Sequence, residues 1–461
     1  MKKLVILGAG ESGVGAALLA QARGYDVLVS ESGGIAPAFR QELQHHQISF
    51  EEGGHSEAWA TADEVVKSPG IPQTTEVVRQ IREKRIRISS EIDFASRFTS
   101  AKILAITGTN GKTTTTSLIY HLLKEAGYDV AVAGNIGKSF ARTLFEGDHE
   151  YFVLEVSSFQ LEDVHSFRPG VALLLNITRD HLDRYNGEMS AYAEAKFRIT
   201  ECMKEGDTFI YNADDEQIAR VMNQREMPGI WMESFNEAYF QNNRLSVPRF
   251  YSPLFDDPDE QEQRPHEEYT DLPLKGRHNA MNIAAAILAV SRAGLEKQQI
   301  EAGLKTFKAV PHRLEEVGSI NEISFVNDSK ATNVEATAYA LEAWGRPVIW
   351  IAGGVDKGND YQVIDELVRT RVKSLICLGK DNTKLLQAFG ESVSFISETT
   401  NIKEAVLRAY HLAEKGDVVL LSPACASFDL FKNYEDRGDQ FRQAVQAHLA
   451  KMDGTRNINL K

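Results

Sequence analysis

Short apolar runs alternate along the chain with stretches whose apolar residues recur at helical spacing. Such runs suit strands covered on both faces, and their alternation with helices predicts an α/β protein with mainly parallel sheets. Leu4–Leu7 reads as the first strand and Asp26–Ser30 as the second. Ile103–Ile106, Tyr151–Val156 and Val171–Ile177 follow as further strands. Ser117–Leu123, Tyr192–Met203 and Asn279–Ala293 carry helical spacing. Three strand-then-turn openings divide the chain: at Leu4, before residue 107, and after Pro311-His312-Arg313. They predict a Rossmann-like domain over 1–92, a central P-loop ATPase-like parallel sheet over 93–309, and a C-terminal Rossmann-like α/β domain over 310–461. Residues 232–271, with four prolines and many acids, read as a long excursion from the middle domain.

Composition narrows this little. A formal charge of −14 and a pI near 5.4 argue against a general nucleic-acid binder. Part of the charge is local, because residues 256–268 hold seven acids and one arginine and read as an exposed loop. Three scattered cysteines suit a reducing cytosol. The apolar run at the N-terminus ends at once in Gly-Ala-Gly-Glu, as a strand would and a signal peptide would not. No stretch is long enough for a membrane span, so a cytoplasmic protein is expected.

The chemistry concentrates in Thr107-Gly108-Thr109-Asn110-Gly111-Lys112-Thr113-Thr114. A strand, a glycine-rich turn and a helix start present backbone N–H groups to an anion. Lys112 adds a full charge, and the Thr113 hydroxyl is placed for Mg²⁺. The general pattern wants a glycine where Ile106 stands. The alternative is an ordinary Gly/Thr turn, but glycine, lysine and hydroxyl all fall in register. A second signal, Gly8-Ala9-Gly10-Glu11-Ser12-Gly13 with Glu31 after the next strand, has the form of a dinucleotide fingerprint. Alone it would suggest an NAD oxidoreductase, which leaves Lys112, Glu155 and His181 without a role. Here it is read as holding another nucleotide's pyrophosphate, with tight strand–helix packing as the alternative. Glu155 ends an apolar strand and is placed to hold Mg²⁺. His181 emerges from the next strand in a run of Asp and Arg. Lys196 by itself is an ordinary surface lysine on a helix. A non-catalytic nucleotide-binding regulator would keep the loop but need no such set of groups.

In order along nearly the whole chain, GAGESG, SPGIP, TGTNGKTTTT, GNIG, LEVSSFQL, NIT-DHLDRY, GRHN, PHR, NDSKATN, GGVDKG and LSPACASFD resemble the Mur ligases. These are the ATP-dependent amino-acid ligases of peptidoglycan precursor synthesis. The stretches at 327–333 and 421–429 resemble the family's D-glutamate-adding member, and no Tyr-Ala-His motif stands at the first of them. The resemblance implies ATP and two Mg²⁺ ions, with UDP-N-acetylmuramoyl-L-alanine and D-glutamate as substrates and a monomer as the working form. It places Thr113 and Glu155 at the first Mg²⁺, and Glu155, His181 and a carbamylated Lys196 at the second. It places Gly108 to Thr114, Asn279, Arg313 and Asp328 on ATP. Gly10, Ser12 and Gly13 would hold the uridine nucleotide, with Asn135 and Ser157 near its sugar or L-alanyl arm. Lys330, Thr332, Lys357, Ser427 and Tyr434 would hold D-glutamate, whose two carboxylates call for cations and hydroxyls. Helix capping is the alternative for Thr332 and Ser427, and solvated charge for the two lysines. Arg179 replaces a frequent proline, Tyr434 a frequent phenylalanine, and Ser30-Glu31-Ser32-Gly33 lacks the Thr-Arg pair some members carry.

Overall fold

A computed structural model describes residues 1–241, 244–249, 265–274, 276–308, 310–356 and 358–458, with side chains through residue 450. Lys357, and residues 256–264 of the acidic stretch, lie outside the described residues. Residues 1–273 with 279–307 form one compact unit, and 274–278 with 308–461 form a second.

The first unit holds two parallel sheets. Strands β1 (Lys3–Leu7), β2 (Asp26–Glu31), β3 (Ser49–Glu52), β4 (Glu64–Lys67) and β5 (Arg87–Ser90) pair in the order β3-β2-β1-β4-β5. The order reverses between β1 and β4, and a crevice opens there at the carboxyl ends. Gly8, at φ +95°, sits at that point, and a Cβ on it would lie 2.5 Å from Ser68 Oγ. A Cβ on Gly13 would lie 1.9 Å from the Gly8 carbonyl oxygen. The first glycine-rich turn is therefore required for close strand–helix packing.

The second sheet comprises β6 (Lys102–Thr107), β7 (Val130–Gly134), β8 (Tyr151–Glu155), β9 (Val171–Leu174), β10 (Thr208–Asn212) and β11 (Trp231–Phe235). Its order is β11-β10-β9-β6-β8-β7, all parallel. The central strands β6 and β8 are covered on both faces, which is why they read as unbroken apolar runs. The excursion after β11 holds a small antiparallel sheet of β12 (Phe240–Gln241), β13 (Arg244–Pro248) and β14 (His266–Tyr269). Charged residues dominate β14, so its sequence carries no alternating signal.

The two sheets of this unit are joined through Asp93, on the helix Glu91–Ser96, which is fully buried. Its Oδ1 accepts the backbone N–H groups of His165 (2.7 Å), Ser166 (2.6 Å) and Phe167 (2.9 Å), and Arg97 donates to Oδ2 at 2.6 Å. Burial alone would raise this carboxyl, but the Arg97 and backbone hydrogen bonds outweigh it and hold it at about 2 against an ordinary 3.8. Because the folded value is the lower one, the stabilisation is complete above the ordinary aspartate range and is lost as pH falls toward 2. Asp93→Asn is expected to remove about 3 kcal/mol of stability at neutral pH, by leaving Arg97 and buried N–H groups poorly paired. Denaturant melts at pH 7 and pH 3 check this, and the gap between variant and parent should narrow at the lower pH.

The second unit carries a sheet of β15 (Glu315–Ile320), β16 (Ile323–Asn327), β17 (Val348–Ala352), β18 (Val372–Leu378), β19 (Ile396–Thr399) and β20 (Val418–Leu421). Its order is β15-β16-β20-β17-β18-β19, parallel apart from the edge strand β15. The mainly parallel α/β class expected from the alternation is the class observed. No described helix is long and apolar enough to cross a membrane.

Candidate active site

In the first unit the glycine-rich turn joins β6 to the helix Lys112–Glu125. Gly108 and Gly111 have φ of +151° and +85°, values that favour glycine and that the sequence supplies. The helix N-terminus directs its unpaired N–H groups, and the positive end of its dipole, toward the turn. Asn176, after β9, fixes the turn: its Oδ1 accepts Asn110 N–H at 2.8 Å, and its amide donates to Asn110 O at 3.1 Å. The Thr109 hydroxyl donates to Thr178 O at 3.2 Å and accepts Thr178 N–H at 3.0 Å. Lys112 Nζ donates to Gly108 O (2.8 Å) and Thr109 O (2.7 Å). Thr114 is buried in the first turn of the helix.

Glu155 ends β8 beside this turn and is almost fully buried. The Thr113 hydroxyl donates to its Oε2 at 2.7 Å, and Asn135 Nδ2 donates to its Oε1 at 3.0 Å. A Cβ on Gly134 would lie 2.3 Å from Glu155 O, so only glycine lets β7 approach this closely. Hydroxyl and carboxylate oxygens this close form a hard-donor pair suited to Mg²⁺.

Lys196 is a finding against its surface appearance in the sequence. It lies on the helix Met189–Phe197, 1% exposed, with Nζ donating to Gly108 O at 2.8 Å. Burial, and then the charge of Lys112, hold its ammonium well below the ordinary lysine range, with Asp180 acting the other way. The amine also lies 4.6 Å from the Tyr192 ring centroid.

His181 follows β9 at φ +53°, with its backbone N–H on Asp180 Oδ1 at 3.0 Å and its ring edge-on to Phe159 at 5.0 Å. A cavity of about 900 Å³ is lined by His181, Phe159, Arg184, Gln73 and Gly70, among others. No group of three or more His, Cys, Asp or Glu side chains suited to a metal occurs among the described residues.

Ser157 caps the helix Ser158–Leu161 in a reciprocal pair with Gln160, so its side chain has a structural role. Asn279 lies in the first turn of the helix Arg277–Arg292, and Asn282, one turn on, lies against the glycine-rich turn: a Cβ on Gly111 would meet its Oδ1 at 2.3 Å. Asn176 and Asp180 stand within the NIT-DHLDRY run, which does not single them out, and Asn282 is a lone polar residue on an apolar helix; tertiary packing is what places all three at the site. Gly10, Ser12 and Gly13 sit on the separate first turn. Glu11 ties that turn to the loop after β7, accepting Ser139 N–H at 3.0 Å and Arg142 Nε at 2.8 Å. Glu31 accepts the Ala9 and Gly33 N–H groups at 2.8 and 3.0 Å, so it braces this turn.

In the second unit, Asp328 follows β16 and is buried. It accepts Ser422 Oγ at 2.9 Å and Leu314 N–H at 3.2 Å, and burial raises its carboxyl to about 7, with the Ser422 hydrogen bond and then Arg313 opposing. The same Arg313, after burial itself, depresses His278 to about 4. Lys330 Nζ lies 5.0 Å from the Tyr434 ring centroid. Asn333, not Thr332, caps the helix Val334–Glu342. Ser427 is buried beside the loop after β20.

Family models match three segments: a Mur ligase middle domain over residues 106–290, a Mur ligase glutamate ligase domain over 312–425, and a MurD N-terminal domain over 3–77. A UDP-N-acetylmuramoylalanine–D-glutamate ligase of Christiangramia forsetii is 47% identical over 456 residues, covering 96% of this chain and 99% of its own. The enzyme of that name from Porphyromonas gingivalis is 49% identical over 451 residues, covering 96% and 98%. Among solved structures, a MurF ligase from Thermotoga maritima in complex with ADP covers 92% of this chain and 95% of its own, with a TM-score of 0.61 at 16% identity. A UDP-N-acetylmuramate–alanine ligase from the same organism covers 97% and 100%, with 0.57 at 18%. These two likenesses concern the fold.

Proposed function

The chain belongs to the Mur ligase family, and on that premise we propose that it joins D-glutamate to UDP-N-acetylmuramoyl-L-alanine using ATP. The observation that carries this reading is the near-full-length identity to ligases that bear this name. The terminal carboxylate of the nucleotide substrate takes the γ-phosphoryl group of ATP. The amine of D-glutamate then attacks the acyl phosphate, and a tetrahedral intermediate releases inorganic phosphate.

An anionic oxygen must approach an anionic phosphate, so the residues serve mainly to neutralise and orient. Lys112 and the N–H groups of Gly108 to Thr114 hold the transferring phosphate, and Asn279 orients the nucleotide. Thr113, Glu155, His181 and Lys196, the last as its carbamate, would hold Mg²⁺, which screens charge on the phosphates. The fit rests on the 2.7 Å contact of Thr113 with Glu155 and on the burial of Lys196 against Gly108. Gly10, Ser12, Gly13, Asn135 and Ser157 are assigned to the uridine nucleotide and its arm. In the second unit Arg313 and Asp328 are assigned to ATP, and Lys330, Thr332, Lys357, Ser427 and Tyr434 to D-glutamate. The functional domains are 1–92, 93–309 and 310–461, and the working form is a cytoplasmic monomer. The test is phosphate release, which should require ATP and both co-substrates together; release without either co-substrate counts against the reading.

A further inference from the structure

Arg437 lies in the first turn of the helix Tyr434–Ile458 and is 1% exposed. Two costs attach to a cation there: loss of water, and the positive end of the helix dipole. Burial accordingly lowers its guanidinium to about 10. Cys425, Asp429 and Asp328 act the other way without outweighing burial, and among the described residues no carboxylate forms a direct ion pair with it. Its hydrogen bonds go to one hydroxyl and to backbone carbonyls. Nε donates to Ser329 Oγ at 3.0 Å and Nη2 to Ser329 O at 2.8 Å, while Nη1 donates to Gly353 O at 3.3 Å and Cys425 O at 3.2 Å.

Those acceptors lie in the loops that follow β16, β17 and β20, three adjacent strands of the sheet. One planar group thus sets the spacing of three loops at the carboxyl edge, where ligands of such sheets bind. Ser329 precedes Lys330, Cys425 stands two residues before Ser427, and the Ser329 hydroxyl also donates to Tyr434 O at 2.8 Å. We propose that Arg437 is a positioning residue for the amino-acid substrate: its fork fixes the spacing of Lys330, Ser427 and Tyr434. This rests on the assignment of those groups to D-glutamate.

Arg437→Lys keeps the charge but loses the planar fork, because an ammonium on a flexible stem cannot reach all four acceptors at once. With the full-length enzyme, well below the melting temperature of either form, KM for D-glutamate should rise about tenfold or more, while KM for UDP-N-acetylmuramoyl-L-alanine stays within about twofold. A merely structural role would lower Tm without splitting the two KM values. An unchanged KM for D-glutamate, or a parallel rise in both, overturns the inference. If the lysine variant does not fold, Ser329→Ala removes the Nε acceptor together with the hydroxyl's bond to Tyr434 O, leaves the other three Arg437 acceptors, and should raise KM for D-glutamate about threefold; no change there overturns the inference equally. A parent enzyme with no D-glutamate-dependent turnover would instead sink the functional reading, and this inference with it.

Discussion

Lys196→Ala is expected to lower kcat at least about 10³-fold, with partial recovery in millimolar acetate. The side chain is buried and held on the carbonyl of Gly108, in the turn that precedes Lys112. A lysine kept from water at that cost needs a use there, and an ammonium cannot ligate a cation. In the proposed carbamate, addition of CO₂ to the neutral amine would form a nitrogen–carbon bond, release a proton and leave one negative charge shared by two oxygens, which are suited to Mg²⁺. Alanine would remove those proposed oxygens and leave a space that a small carboxylate can enter. The measurement is kcat with and without acetate, beside a melting curve to show that the variant is folded. Near-parental activity, or a folded inactive variant that acetate does not improve at all, would contradict the carbamate role.

Glu155→Gln should cost about 10²–10³-fold in kcat with little loss of stability. Glutamine fills the same volume and can still accept from Thr113, so the fold around β8 is kept. What disappears is the negative charge proposed to bind Mg²⁺, on the carboxylate that accepts from the Thr113 hydroxyl and the Asn135 amide. The Mg²⁺ concentration needed for half-maximal rate should rise along with the loss in kcat. A variant within about threefold of the parent at every Mg²⁺ concentration would remove Glu155 from the metal site, since losing a charged ligand costs far more than that.

The parts of the site that were legible in the sequence are those whose requirement is local. Gly108 and Gly111 need positive φ, the strand before them must be apolar, and Lys112 and Thr113 stand at fixed steps in the turn. Glu155 was legible because an acid at the end of a buried strand is costly unless it has a partner. Lys196 was legible only through the family resemblance, because its burial comes from the packing of one helix against a turn 88 residues earlier. Arg437 was hidden in the same way, as one basic residue in a polar helix start, and only the sheet order brings its three loops together. Asp93 looked like any acid at a helix start, yet it binds three N–H groups from residues 165–167. The antiparallel sheet after β11 escaped notice because its strands are short and partly charged. For Ser157 the capping geometry adds a structural role to the one the resemblance implies.

The most direct measurement is phosphate release from ATP by the purified protein with UDP-N-acetylmuramoyl-L-alanine, across a panel of amino acids. D-glutamate should support release, with a product heavier by one glutamyl residue, and L-alanine or a diamino acid should not. Release with L-alanine or a diamino acid, and none with D-glutamate, would contradict the assignment.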